Sequence, residues 1–428
     1  MTGDFDDSLR PVAALGELTA RKLAALPPPA ARTPAEREAA AETKLERRRV
    51  CQRFLRGNAP TVYRRLTRDF QERPRLAELL TGAATEFPGL VPSPEAMAEE
   101  NGRPQAEKEG LEIDQALFVG EVLRDPASGT HLMNTMLTPT PRALELLPDY
   151  LLKGELTLRS VRLRRRDGAA HLTLTREDSL NAEDDEQVDD VETAVDLALL
   201  DPEVRVGVFR GGEMTHPKYA GRRVFSAGVN LKALHAGRLS WADFFMRREL
   251  GYLNKIVRGT AVDHDGSWRG PNIEKPWLAA VDSFAIGGGA QLLLLFDHVL
   301  AASDSFFSLP AAQEGIIPGA GNFRLTRAVG QRRARRIILM GDRVAATSPD
   351  AGLLFDEVVG PGELDEAVER GVRALDSPAV TSNRRMLNLA DEPLEACRLY
   401  FAEFALQQAL RLYSEDVLGK VSRFAAHG

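Results

Sequence analysis

Two glycine-bearing turns about sixty residues apart constrain this chain more than any other feature: Phe225-Ser226-Ala227-Gly228-Val229-Asn230-Leu231 and Ala285-Ile286-Gly287-Gly288-Gly289-Ala290-Gln291. Each reads as a corner between an apolar strand and a stretch of helical periodicity, with residues 204–209 and 277–281 as the strands before them. The first N–H groups of a helix have no partner inside it, so each corner presents bare donors. Two such corners that converge on one oxygen suit a carbonyl that becomes an oxyanion, where losing a single donor costs roughly 3 kcal/mol of transition-state stabilisation.

Around the corners the chain divides by period. Residues 1–155 read as a helical domain and residues 156–428 as a second one. In the first, Thr33-Pro34-Ala35-Glu36 is a capping box with proline at the first helical position, and it opens a charged helix expected to end at Gly57. Apolar residues at three- and four-residue spacing over 61–80, 105–123 and 141–151 predict further helices, with turns near Pro88, Pro92 and Pro126. In the second, residues 161–165 and 171–175 alternate about Asp167-Gly168, a hairpin turn, and Leu180-Asn181-Ala182 leads into an amphipathic helix through Leu200. Another short strand spans 299–302, and residues 383–424 are helical again. Strands alternating with helices place the chain in the α/β class.

No run approaches the roughly twenty apolar residues of a transmembrane helix, and residues 1–10 are acidic and polar, unlike a signal peptide. A cytoplasmic enzyme is the expectation. Cys51 and Cys397 are far apart and argue for neither a disulfide framework nor a thiolate metal site. The seven histidines, His264 among them, lack any metal-ligand spacing, so no metal and no cofactor is expected. A net charge of −7 speaks against a nucleic-acid surface.

The two corners, with Gly315-Ile316-Ile317-Pro318-Gly319-Ala320-Gly321 and Leu325-Thr326-Arg327-Ala328-Val329-Gly330, resemble the signature segments of the crotonase (enoyl-CoA hydratase/isomerase) superfamily, from about Leu156 to the C-terminus. The resemblance implies a core of repeated ββα units forming a superhelix, with an all-helical domain before it and C-terminal helices after. It also implies homotrimers or dimers of trimers, an acyl-CoA thioester as ligand, and a thioester oxygen held by the backbone amides of Val229 and Gly288. Ala227, Gly287 and Gly289 complete the two corners.

A hydratase of this superfamily carries two acids, one two residues beyond the glycine triplet and one just after the proline of the following strand. This chain has Gln291 and Ala311 there. Neither exchanges protons near neutral pH, so reversible hydration is not expected. The helical extension, Gln291, His216-Pro217-Lys218-Tyr219 and Phe244-Phe245-Met246-Arg247-Arg248 resemble the superfamily's cofactor-independent arylacetyl-CoA dioxygenases. That branch implies O₂ and (3,5-dihydroxyphenyl)acetyl-CoA as substrates and (3,5-dihydroxyphenyl)glyoxylate and CoA as products, on the route to the dihydroxyphenylglycine of glycopeptide antibiotics.

The same resemblance assigns roles. Gln291 bonds the thioester or a peroxy intermediate, and Arg248 and Glu183 reach the dihydroxyphenyl ring, Glu183 also relaying a proton. Arg176 and Lys232 stand where superfamily members approach the adenine or phosphates of CoA. His216 heads a basic cluster with Lys218, Arg222 and Arg223, either a CoA contact or a solvated loop. Leu231, Ile286 and Ile317 either line an oxygen pocket or belong to the core. Two other readings stay open: another crotonase enzyme, such as a thioesterase or isomerase, and a non-catalytic acyl-CoA-binding scaffold.

Overall fold

The computed structural model describes residues 2–262 and 272–427; Met1 and His264 lie outside the described residues. Two compact units emerge, and their boundary differs from the expected break at residue 155. One unit comprises Met1–Met136, Leu231–Met246 and Leu394–Gly428; the other comprises Leu137–Asn230 and Arg247–Pro393.

The first unit is helical. Its longest helix, Pro34–Leu66, starts at the expected capping box: the Thr33 hydroxyl accepts from Glu36 N at 3.3 Å and Glu36 Oε2 accepts from Thr33 N at 2.8 Å. It does not stop at Gly57. The buried stripe of Cys51, Phe54 and Leu55 continues through Ala59, Val62 and Tyr63, and this packing carries the helix past Gly57 and Pro60. Segments distant in the chain join the unit at one buried carboxylate. Glu112 is fully buried and accepts Trp241 N at 2.7 Å on one oxygen and Tyr413 Oη at 2.6 Å on the other. The Trp241 indole donates to Ala405 O at 2.9 Å. A buried carboxylate must be satisfied, and its donors come from residues 241 and 413. Cys51 and Cys397 are both buried and free.

The second unit is built on strands β1 (Glu155–Thr157), β2 (Val161–Arg166), β3 (Ala169–Leu174), β4 (Val206–Gly211), β5 (Thr260–Ala261), β6 (Asn272–Ile273), β7 (Trp277–Val281), β8 (Phe284–Ile286), β9 (His298–Ala302), β10 (Phe306–Ser308), β11 (Arg343–Ala345) and β12 (Glu357–Val359). The main sheet runs β1-β2-β3-β4-β7-β9-β12, antiparallel up to β3 and parallel beyond it. A smaller sheet runs β11-β10-β8, and β5 pairs with β6. The β2–β3 hairpin turns at Asp167 and Gly168, both at positive φ (50° and 77°), as an Asp-Gly turn of this type requires. The central parallel strands are the buried ones: every residue of β7 is buried, and Val208, Leu278, Ala280, Leu300 and Ala302 form a core with Leu364, Ala367 and Val368 of the helix Leu364–Leu375, while the edge strand β12 is partly exposed.

Ion pairs fix the segment that leads to the site. In the helix Asp185–Leu200, Glu192 and Asp196 face Lys255, whose ammonium lies 2.9 Å from Glu192 Oε1 and 2.7 Å from Asp196 Oδ1; all three side chains are fully buried. Arg247 adds Glu192 Oε2 at 2.7 Å and Asp189 at 2.5 Å. Arg247 and Lys255 thus clamp the two ends of a stretch that contains the widened helical turn Glu249–Leu253, leaving Arg248 to turn the other way. None of the described helices is long and apolar enough to cross a membrane.

Lys255→Met is expected to lower stability by about 3–5 kcal/mol, read as a fall in the denaturation midpoint, because two buried carboxylates lose their ammonium. Adding Asp196→Leu should restore part of that loss.

Candidate active site

Backbone pairing assembles the first corner. Glu183 and Val229 form a parallel bridge, with Glu183 N donating to Gly228 O at 2.7 Å and Asn230 N donating to Glu183 O at 2.9 Å. Asn181 supports it: its Nδ2 donates to Val224 O at 2.7 Å, and its carbonyl accepts the Ser226 hydroxyl at 2.8 Å. Here the structure departs from the expected strand-to-helix corner. Residues 223–229 make isolated bridges rather than a strand, and β4 ends at Gly211.

The second corner is a strand-to-helix turn, as expected, but the strand that leads into the helix Gly288–Leu293 is β8, not the expected strand at 277–281, which is β7. The two corners are stitched together by the bridge Ser226–Ala285 and by Ile286 N donating to Ser226 O at 3.0 Å. Gly228 (φ 86°) and Gly287 (φ 53°) hold conformations that side chains resist, and a β-carbon on Gly228 would stand 2.9 Å from Ile286 O and 3.2 Å from Gly288 N. Among the described residues, the N–H groups of Val229 and Gly288 have no hydrogen-bond acceptor. Two bare amides on adjoining loops can receive an oxygen that gains negative charge.

Against this corner lies a buried polar network. Arg248, 3% exposed, donates through Nη1 to Gln291 Oε1 at 2.7 Å and to Glu249 Oε1 at 3.2 Å, and through Nη2 to Glu183 Oε1 at 3.0 Å and Gly288 O at 2.9 Å. Tyr252 Oη donates to the same Glu183 oxygen at 3.1 Å. Glu249 accepts Gln291 Nε2 at 2.5 Å on one oxygen and Ala320 N at 3.0 Å on the other. Burial works against the Arg248 guanidinium, but Glu183, the Tyr252 oxygen and Glu249 outweigh it and hold its pKa above the ordinary arginine value. Burial also pushes the Tyr252 phenol well up, with Glu183 adding to it against Arg248.

Two atoms of the network have no partner among the described residues: Glu183 Oε2 and Arg248 Nε, both buried. Glu183 Oε2 lies against Gly288, where a β-carbon would come within 2.0 Å of it. One is an unmatched acceptor and the other an unmatched donor, and both are desolvated.

The structure thus brings Glu183, Ala227, Val229, Arg248, Ile286, Gly287, Gly288, Gly289 and Gln291 into one region of the second unit. The Gln291 amide, expected to face substrate, is instead used at both ends inside the protein, between Arg248 and Glu249. His216 is exposed and caps its own turn, its Nδ1 accepting Lys218 N at 3.3 Å. Arg176 is tied to Asp184 at 2.9 Å, with Asp178 and Glu186 at 3.6 Å, rather than free for a phosphate. Leu231 and Lys232 start the helix Leu231–His235 of the helical unit. Ile317 is half-buried and Ala311 buried in the second unit.

Sequence reasoning missed three residues. Tyr252 and Glu249 follow Arg248 within four positions, a helical spacing that could have flagged them, and their hydrogen bonds place them on the same centre. Glu314, in the short helix Ala311–Glu314, lies beside the second corner: a β-carbon on Gly287 would be 3.8 Å from its Oε2. Burial pushes its carboxyl up to about 7. No group with a compensating charge contributes.

Comparisons with known proteins fit this geometry. The enoyl-CoA hydratase/isomerase family profile matches residues 164–388. The (3,5-dihydroxyphenyl)acetyl-CoA 1,2-dioxygenase of Amycolatopsis orientalis is 60% identical over 401 residues, 94% of this chain and 92% of that protein. The mitochondrial enoyl-CoA hydratase of Pongo abelii is 28% identical over 55% of this chain and 76% of its own. Among solved structures, a carnitinyl-CoA hydratase from Mycobacterium avium superposes with a TM-score of 0.51 at 27% identity, covering 63% of this chain and 97% of that one.

Gln291→Glu would set a carboxylate within hydrogen-bond distance of Glu249, so its folded pKa would be raised above its unfolded one. Destabilisation should be present at pH 8 and shrink as the group is protonated toward pH 5, measured as the melting-temperature difference from the parent protein.

Proposed function

This chain belongs to the enoyl-CoA hydratase/isomerase family, and from that premise we propose that it catalyses the reaction of an arylacetyl-CoA thioester with O₂, giving an arylglyoxylate and CoA. The observation that carries this reading is the unmatched, buried Glu183 Oε2, which lies against Gly288 with its bare amide, together with the unmatched Arg248 Nε of the same ion pair. A thioester on the corner amides would present its aryl ring to that pair, and a ring hydroxyl would satisfy both atoms. The relative from Amycolatopsis orientalis, by its name, acts on a dihydroxyphenyl thioester. (3,5-Dihydroxyphenyl)acetyl-CoA is the substrate we assign.

The chemistry follows from the ligand. Its α-carbon is flanked by an aryl ring and a thioester carbonyl, so loss of one α-proton leaves an enolate whose oxygen the Val229 and Gly288 amides stabilise. The enolate passes one electron to O₂, and recombination of the two radicals forms the bond from Cα to oxygen. The terminal peroxide oxygen attacks the thioester carbonyl and expels CoA as a thiolate. The O–O bond then breaks as the second α-proton leaves, giving the α-keto acid. One thioester and one O₂ are consumed, and the substrate supplies all the electrons, which is the ground for proposing no metal or flavin.

Arg248 holds positive charge beside the ring, where electron density rises as the enolate forms, and Gln291 and Glu249 fix its direction. With an amide at position 291 and no side-chain acid at Ala311, the two acids a hydratase uses are missing from their places. By the family resemblance, assembly as a trimer or dimer of trimers belongs to the same reading.

The test mixes metal-stripped protein with (3,5-dihydroxyphenyl)acetyl-CoA without oxygen and then admits it, following CoA thiol and dissolved O₂ together. Equal consumption of O₂ and thioester is expected. Thiol release before oxygen enters would make the protein a thioesterase, and retention of thioester without turnover in air would make it a binding scaffold. Glu183→Gln should lower kcat/KM for the dihydroxyphenyl substrate by on the order of 10²-fold relative to unsubstituted phenylacetyl-CoA, since a hydrogen bond to a charged group is worth about 1.5–3 kcal/mol.

A further inference from the structure

The reaction proposed above needs a group that removes the α-proton, and the two positions where a hydratase keeps its acids hold Gln291 and Ala311. Glu183 is a weak candidate, because one of its oxygens is shared by Arg248 and Tyr252 and the other is assigned to the ring. Glu249 is occupied on both oxygens by Gln291 and Ala320 N. One carboxylate near the corner is not committed. The Glu314 side chain has no hydrogen bond or ion pair among the described residues, and its Oε2 lies across from Gly287, one residue before the bare Gly288 amide. Glu314 is also three residues beyond Ala311 in the same short helix, so an acid absent from one position returns one helical turn later on the same face.

From this placement we infer that Glu314 is the general base, taking the α-proton of the thioester held at the Val229 and Gly288 amides. The Cα–H bond breaks, its proton passes to a Glu314 oxygen, and its electron pair forms the enolate whose oxygen the amides receive. The acid thus formed returns the proton to solvent or to the departing thiolate. This assignment rests on the thioester reading above and deepens it.

The surroundings suit the role. The charged groups on neighbouring elements are turned to other partners: Arg324 pairs with Glu392, Arg327 stacks over the Phe323 ring at 3.7 Å, and Arg248, Glu183, Glu249 and Tyr252 bond one another. Gln313, beside Glu314 in the chain, donates to Met340 O at 2.9 Å. Burial alone acts on the carboxyl and lifts it to about 7. A base matched to neutral pH is strong enough to take a carbon-bound proton and still present in its ionised form.

The experiment reads the proton step without oxygen. Protein and (3,5-dihydroxyphenyl)acetyl-CoA are mixed anaerobically in D₂O, and deuterium entry at the α-carbon is followed by mass spectrometry. The parent protein should exchange, with a rate that rises with pH through about 7 as Glu314 ionises and then levels. Glu314→Gln should lose at least 10²-fold in exchange and lose that pH limb while binding the thioester with unchanged affinity; Glu314→Asp should retain part of the rate. Persistence of both exchange and its pH limb in folded Glu314→Gln overturns the assignment. If that variant does not fold, a parent exchange rate that is flat between pH 5 and 9 does the same. Exchange that depends on Glu314 in a protein that never consumes O₂ would leave the base in place and sink the dioxygenase reading instead.

Discussion

Glu183 is held twice, and the site depends on both grips. Its backbone is bridged to Val229, so the carboxylate cannot move without the corner that carries one of the two bare amides. Its side chain is bonded by Arg248 and Tyr252, and Arg248 in turn bonds the carbonyl of Gly288, the residue that carries the other amide. One ion pair therefore couples both corners to the widened turn at 249–253. Charges removed from water are costly unless they are paired in good geometry, and paired in this way they are stiff. A stiff arrangement of donors need not reorganise when charge develops on a ligand, which is the condition for electrostatic catalysis.

The network also explains why glutamine occupies position 291. Its amide offers an acceptor to the Arg248 guanidinium and a donor to the Glu249 carboxylate, a polarity that a carboxylate at the same place cannot supply in full. The glycines serve the same packing: Gly288 gives room to Glu183, Gly289 to Ser226, and Gly319 to Glu249 and Gln291. At these three glycines the close approach is made by backbone that has no β-carbon to interpose.

Behind the site, the clamp of Arg247 and Lys255 on Asp189, Glu192 and Asp196 serves orientation. Consecutive arginines at 247 and 248 face opposite ways, one held by a helix of the fold and one directed at the corners. The turn that follows is widened over Glu249–Leu253, with Gly251 outside helical φ/ψ. In the helical unit, the fully buried Glu112 plays a comparable part, drawing residues 241 and 413 to one carboxylate and binding segments distant in sequence into one body.

The capping box at Thr33, the Asp167-Gly168 hairpin, the short apolar strands and the glycine turns were legible in the sequence because each depends on residues within a few positions of one another, where periodicity, caps and φ preferences act, although the first turn proved not to be a strand-to-helix corner. The unit boundary, the continuation of the helix through Gly57 and Pro60, and the exposed setting of His216 were not, because they turn on what packs against a segment from far along the chain. The same division runs through the site. The amino-acid order by itself determined that two bare-amide corners exist and that position 291 cannot act as an acid, since backbone conformation and side-chain chemistry are local properties. Only the tertiary structure decided that Arg248 is shared among Glu183, Glu249 and Gln291, that Arg176 is held by acids of its own loop, and that Glu314 stands alone beside Gly287. Burial and pairing are relations among side chains brought together from distant segments, and no single segment contains them.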